Sequence, residues 1–161
     1  MIQTYVNLIF RGKILYGLKV WGGSDKLLID KIDKLQDKAA KVALWNDWDM
    51  KSKKQRVNEL NWLPVIDEID YTTHKMTFNI INNDKPDEMA AVMPVRERES
   101  RLKVDKKLDI KPKYLNMTKK LRLSFRNRAF RYNMLPGLLT RMNNKSKFKK
   151  ALRKYMMTSH I

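Results

Sequence analysis

Five apolar residues, Leu28, Ile32, Leu35, Ala39 and Val42, follow an i, i+4, i+7, i+11, i+14 spacing, and no other stretch limits the fold as much. That spacing is the repeat of one face of an α-helix. Asp30, Lys31, Asp33, Lys34, Asp37, Lys38 and Lys41 fill the other positions. The segment therefore reads as an amphipathic surface helix, with the apolar stripe packed inward and the charges solvated. Asp30–Lys34 and Asp37–Lys41 are acid-first i, i+4 pairs, each expected to add a few tenths of a kcal/mol. Ser24 and Asp25 supply an N-cap and a first-turn acid.

The same periodicity runs through the rest of the first hundred residues. Tyr5, Val6, Ile9, Phe10, Ile14, Leu15, Leu18 and Trp21 recur at threes and fours, predicting a helix from Ile2 to Trp21. Its apolar residues occupy more than one narrow stripe, so it expects neighbours on several sides. A short helix over 52–60 is capped by Ser52. Pro64 suits the first turn of a further helix over 64–81, carried by Val65, Ile69, Met76 and Ile80. A last short turn follows over 87–93. Trp21, Trp45 and Trp62 are read as core residues rather than as platforms for bases.

Five glycines and five prolines leave little material for tight β-turns, which makes a mostly helical chain the default. There is no cysteine, so neither a disulfide framework nor a thiol nucleophile is available. His74 and His160 are the only histidines and have no triad or metal-ligand set around them in sequence. Asp67, Glu68 and Asp70 fall where a helix start favours negative charge. No phosphate-cradling glycine loop occurs. No metal site, no cofactor and no catalysis by this chain alone are expected.

The charge is concentrated at one end. Residues 101–161 hold 19 Lys and Arg against two acids, Asp105 and Asp109, while residues 1–100 are close to neutral. Residues 95–112 are dense in charge and poor in periodicity, reading as a linker or partly extended arm, and two domains meet there, 1–94 and 95–161. Lys119 to Leu123 reads as strand or loop, and Phe125 to Met134 as one or two helical turns before Leu135-Pro136-Gly137. A final helix is capped by Ser146 and carries Phe148, Ala151, Leu152, Tyr155 and Met156 on one stripe, with Lys154 among the bases elsewhere.

Such an imbalance points to a polyanion. Lys119, Lys120, Arg122, Arg126, Arg128 and Arg131 form the expected set of phosphate contacts, with Lys147, Lys149, Lys150 and Arg153 as a second set. Phe125 and Tyr132, interleaved with the first set, are candidates for stacking on unpaired bases. No stretch has the length of a membrane span, and a membrane partner is not expected. An intracellular setting, nuclear or cytoplasmic, is the expectation. The first 24 residues lack acids and carry Arg11, Lys13 and Lys19, as mitochondrial presequences do, but this segment reads better as a core helix.

Several stretches, in order, resemble one family. ILYGLKVWGGS (14–24), IDKLQDKAAKV (32–42), LNWLPV (60–65), the helix containing Tyr71 and NDKPDEM (83–89) are similar to the region after the catalytic palm of non-LTR, LINE-type retrotransposon reverse transcriptases. SFRNRAF (124–130), NMLPGLL (133–139) and SKFKKALRKYM (146–156) resemble the close of those proteins. The resemblance implies a helical thumb that grips a template–primer duplex, followed by a C-terminal segment. The palm and its paired aspartates have no counterpart here. The expected fold is thus a mostly α, thumb-like bundle with a basic, partly helical extension. The expected function is non-catalytic binding of RNA or an RNA–DNA duplex. The competing reading is a protein-interaction module, whose first helix docks on a palm domain or on a second copy.

Overall fold

The computed structural model describes residues 2–13, 16–17, 26–45, 51–82, 95–100, 103–108 and 125–158. Within these residues the chain is mostly helical. Seven α-helices run in order: α1 (Ile2–Tyr5), α2 (Lys26–Ala43), α3 (Lys53–Glu59), α4 (Val65–Ile81), α5 (Phe125–Phe130), α6 (Gly137–Thr140) and α7 (Lys145–Thr158). A π-helix over Val6–Arg11 continues α1, and a 3-10 turn over Arg131–Met134 continues α5. Strands β1 (Val95–Ser100) and β2 (Lys103–Leu108) pair antiparallel, with Val95 opposite Leu108 and Ser100 opposite Lys103. The segment expected as linker or extended arm thus contains a hairpin, which its charges had hidden from any apolar alternation.

The chain forms two compact units, Met1–Ile69 and Asp70–Ile161. The division between these units lies inside α4. Among the described residues, no helix is long and apolar enough to cross a membrane. The short turn expected over 87–93, the segment 119–123, Trp21 and the Ser24 cap lie outside the described residues.

In the first unit the core is built by Ala39, Ala40, Val57, Leu60 and Trp62, with Val6, Ala43 and Leu44 packed against them. Helix α3 starts on the expected cap. The Ser52 hydroxyl accepts from the Gln55 backbone N–H at 3.3 Å, and the Ser52 N–H donates to the Gln55 side chain at 2.8 Å. The two bonds close a capping box. Its other end is set by Asn61, the one described non-glycine residue in the left-handed region, at φ 52°. The Trp62 N–H donates to the Val57 carbonyl and the Asn61 N–H to that of Asn58, both at 2.9 Å. This is a Schellman closure, with the usual apolar contact made by two core residues, Val57 and Trp62.

Helix α2 is where the first unit departs furthest from expectation. Its buried residues are Ile29, Gln36, Ala39 and Ala40. Leu28, Leu35 and Val42 of the predicted inward stripe are instead 40, 47 and 49% exposed. Only Ala39 of that stripe is fully buried, and Ile32 is half-buried. The helix is rotated because polar partners lie on the α3 side. The Gln36 amide donates to the Leu63 carbonyl at 2.8 Å. Arg56 donates to Asp37 at 2.6 and 3.1 Å and also to the Lys51 carbonyl, while Lys53 pairs with Asp33. Asp37 reaches Lys41 as expected, at 3.7 Å. The expected Asp30–Lys34 pair does not form.

Two further expectations are corrected in this unit. Trp45 is 67% exposed, just beyond the end of α2, whereas Trp62 is almost wholly buried and donates to the Asn7 side chain at 2.8 Å. The first segment is not one uniform α-helix, since Val6–Arg11 is wound wider, and α1 itself has no buried residue.

The second unit packs α4 residues against α5, its 3-10 extension and α7. The rings of Phe78 and Phe148 stack at 4.2 Å and 15°. Tyr132 meets Phe148 at 6.0 Å and His74 at 6.2 Å, both tilted. Ala129, Leu139, Leu152 and Met156 complete the buried set. Helix α4 ends where the Asn82 side chain and N–H both donate to the Phe78 carbonyl, at 2.9 and 3.1 Å.

Candidate nucleic-acid interface

Helix α7 brings together four of the expected phosphate contacts, Lys147, Lys149, Lys150 and Arg153. Its start is set by Asn144, not Ser146: the Asn144 side-chain oxygen accepts from the Lys147 N–H, and its carbonyl from the Phe148 N–H, each at 2.9 Å. Ser146 lies two residues too late to cap and is an exposed helical residue. The buried stripe is Phe148, Leu152 and Met156, spaced i, i+4, i+8. Ala151 is half-buried and Tyr155 sits at the exposed edge.

With that stripe inward, the 100° step of the helix assigns the remaining positions. Lys147, Lys150 and Lys154 fall at i, i+3 and i+7 on the face opposite the stripe, and all three are exposed. Lys149 and Arg153 form a flanking pair. The Tyr71 hydroxyl donates to the Lys149 carbonyl at 3.4 Å, and the Arg153 guanidinium lies 5.9 Å from the Tyr71 ring centroid. The Lys75 ammonium is closer to that ring, at 4.3 Å. No acid occurs from Lys145 to Thr158, so nothing within the helix offsets its charge. Lys145 and Lys147 stand in the first turn, where the helix dipole opposes positive charge. An anion there would relieve both effects.

Two of the expected contacts are corrected. Arg128 is buried, its side chain 3% exposed, and donates to Asp70 at 2.8 Å. A guanidinium held inside by a carboxylate is a structural ion pair and not a phosphate contact. Tyr132 is fully buried between His74 and Phe148 and cannot stack on a base. Arg131 differs from its neighbour: it is exposed yet donates to the second Asp70 oxygen at 3.0 Å. Asp70 thus ties one buried and one exposed arginine, a role its sequence position as a first-turn acid did not disclose.

Lys119, Lys120 and Arg122 lie outside the described residues. So do the side chains of Phe125 and Arg126, whose backbones belong to α5. Lys154 was left out of the expected contact set, although its i+7 relation to Lys147 was readable. Among the described residues no group of His, Asp and Glu is arranged to hold a metal ion.

His74 lies beside this cluster without belonging to its surface. Burial pushes its pKa down to about 4, with Asp70 pulling upward and Arg131 adding to the downward push. Its Nδ1 is buried without a hydrogen-bond partner among the described residues. The ring is therefore neutral at pH 7.

No protein-family model matches this chain, and no match was found among curated proteins or solved structures.

Proposed function

We propose that this chain binds the phosphodiester backbone of RNA or of an RNA–DNA duplex without catalysing a reaction. It would do so as the C-terminal, post-palm part of a LINE-type reverse transcriptase or as a remnant of one, in an intracellular setting, nuclear or cytoplasmic. The observation that carries this reading is the face of α7. Lys147, Lys150 and Lys154 stand out on one side, anchored from behind by Phe148, Leu152 and Met156, with no acid in the helix. Lysines so placed neutralise successive phosphates and release their counterions. Backbone contacts of this kind position a nucleic acid without reading its sequence, so discrimination between sequences is small.

Fluorescence anisotropy with a labelled RNA and an RNA–DNA duplex across a salt series tests the reading. Affinity falls steeply as salt rises. In the Lys147→Ala/Lys150→Ala/Lys154→Ala variant, the slope of log K against log salt becomes shallower by about two to three, at roughly 0.7–0.9 per lost phosphate contact. A flat salt profile in the unaltered chain, or an unchanged slope in the variant, rejects it.

A second reading, a protein-interaction module working through the first helical segment, is favoured by one observation. Tyr5, Leu8 and Ile9 are all exposed there. On that reading the segment docks on a palm domain or on a second copy. Size-exclusion chromatography separates the cases: a monomer at all concentrations removes the second-copy version.

A further inference from the structure

We infer that the outward face of α2 docks an amphipathic helix of a partner protein whose apolar stripe is edged by Asp and Glu. Leu28, Leu35 and Val42 lie seven residues apart, so they form one line about 21 Å long at 1.5 Å per residue. Each keeps two-fifths or more of its surface in solvent. Such a line is one half of a coiled-coil seam, its d positions, since the a positions Ile32 and Ala39 are half-buried and buried in the chain itself. With these three residues at the d positions, Lys31 and Lys38 fall at g, the positions whose charges select a coiled-coil partner. Lys34 lies next to them. All three lysines are exposed, and none has an acidic partner among the described residues. Of the nearby acids, Asp33 is engaged by Lys53 and Asp37 by Arg56 and Lys41, while Asp30 is exposed at f, off the seam. The helix therefore presents an apolar line edged by three lysines, with Asp30 the one exposed acid near them.

A second copy does not fit this seam in either direction. In an antiparallel pair, g positions face g positions, and Lys31 and Lys38 would meet their own counterparts. In a parallel pair they would face the e positions, Ile29 and Gln36. Both of those are buried in the chain's own core, where Gln36 is bonded to Leu63. A nucleic-acid backbone offers nothing for a line of aliphatic side chains. A membrane needs a broad apolar face, whereas here Ile29 and Ala40 turn inward on one side of the line and Leu27, 69% exposed, falls on the lysine edge on the other. A partner helix with acids at its own flanking positions satisfies both the line and its edge.

The probe is a synthetic helical peptide of about three heptads with Leu at a and d and Glu at e and g, compared with a twin carrying Lys at e and g. Anisotropy with the full chain at physiological salt gives the Glu peptide about tenfold tighter binding than its twin. Leu35→Asp, at a half-exposed position, abolishes that binding, and circular dichroism shows whether the variant stays folded. Lys31→Glu/Lys38→Glu, which removes no apolar contact, reverses the preference between the peptides. The α7 triple alanine variant leaves peptide binding unchanged, so this inference and the nucleic-acid reading fail separately. It is overturned by equal or absent binding of the two peptides, or by no reversal in the double lysine variant. It is equally overturned by a dimer that Leu35→Asp dissociates, or by phosphatidylserine vesicles that bind through Leu35 when the Glu peptide does not.

Discussion

At the scale of single residues, Asn61 and His74 hold the most testable physics. Asn61 sits at φ 52°, where a Cβ atom crowds the following carbonyl and glycine, having none, is unstrained. Asn61→Gly is expected to hold or slightly raise stability in chemical denaturation. Asn61→Val should lower it by about 1–2 kcal/mol, because a β-branched residue resists the left-handed region. His74 sets a pH dependence. Its folded pKa of about 4 lies below the ordinary 6.5, so the unfolded chain binds more protons between those values. Stability contributed by keeping the ring neutral is therefore complete above about pH 6.5 and lost as pH falls toward 4, by about 3 kcal/mol in total. Urea midpoints measured from pH 7 to 4 should decline, and the decline should be smaller in His74→Gln. Equal declines in the two proteins would place the titration elsewhere.

At the scale of elements, the ends of helices decide more than their middles. Ser52 was legible as a cap because its box partner Gln55 stands three residues on. In α7 two capping residues compete, Asn144 and Ser146, and local sequence does not rank them. The position of Phe148 against Phe78 and Tyr132 does, by fixing the residue at which the first turn begins. Asn144→Ala should lower the thermal midpoint by the equivalent of about 1 kcal/mol, while Ser146→Ala should leave it nearly unchanged. The hairpin over 95–108 was not legible as such. Its strands are built from charged residues with no apolar alternation, and the register, Glu97 opposite Lys106 and Arg98 opposite Asp105, follows only from the pairing of the two backbones.

At the scale of the whole molecule, the +18 charge makes two salt responses run in opposite directions. Self-repulsion in the basic part disfavours the compact state, and added salt screens it. The unbound chain should therefore melt at a higher temperature in about 0.5 M salt than in about 0.05 M, across the range in which nucleic-acid affinity falls. A midpoint that drops with salt would mean that ion pairs such as Arg56–Asp37 and Arg128–Asp70 outweigh the repulsion.

The amino-acid order by itself determined that this is a mostly helical chain, because apolar residues recur at threes and fours and turn-formers are scarce. It also determined where the charge lies, the α3 cap and the apolar stripe of α7. Tertiary structure alone decided which face of α2 is buried. Leu28, Leu35 and Val42 make the stronger apolar stripe. The adjacent face, though, offers Ala39 and Ala40, small enough for Trp62 and Val57 to approach, and Asp33, Gln36 and Asp37, each with a partner on or near α3. Close packing and paired polar groups outweighed the larger aliphatic area, which was left facing solvent, even though the Gln36 Oε1 is buried without a partner among the described residues. The same logic separated Arg128 from Arg131. Both follow the basic pattern of the sequence, but the carboxylate of Asp70, 58 residues from Arg128, drew one inside and left the other at the surface.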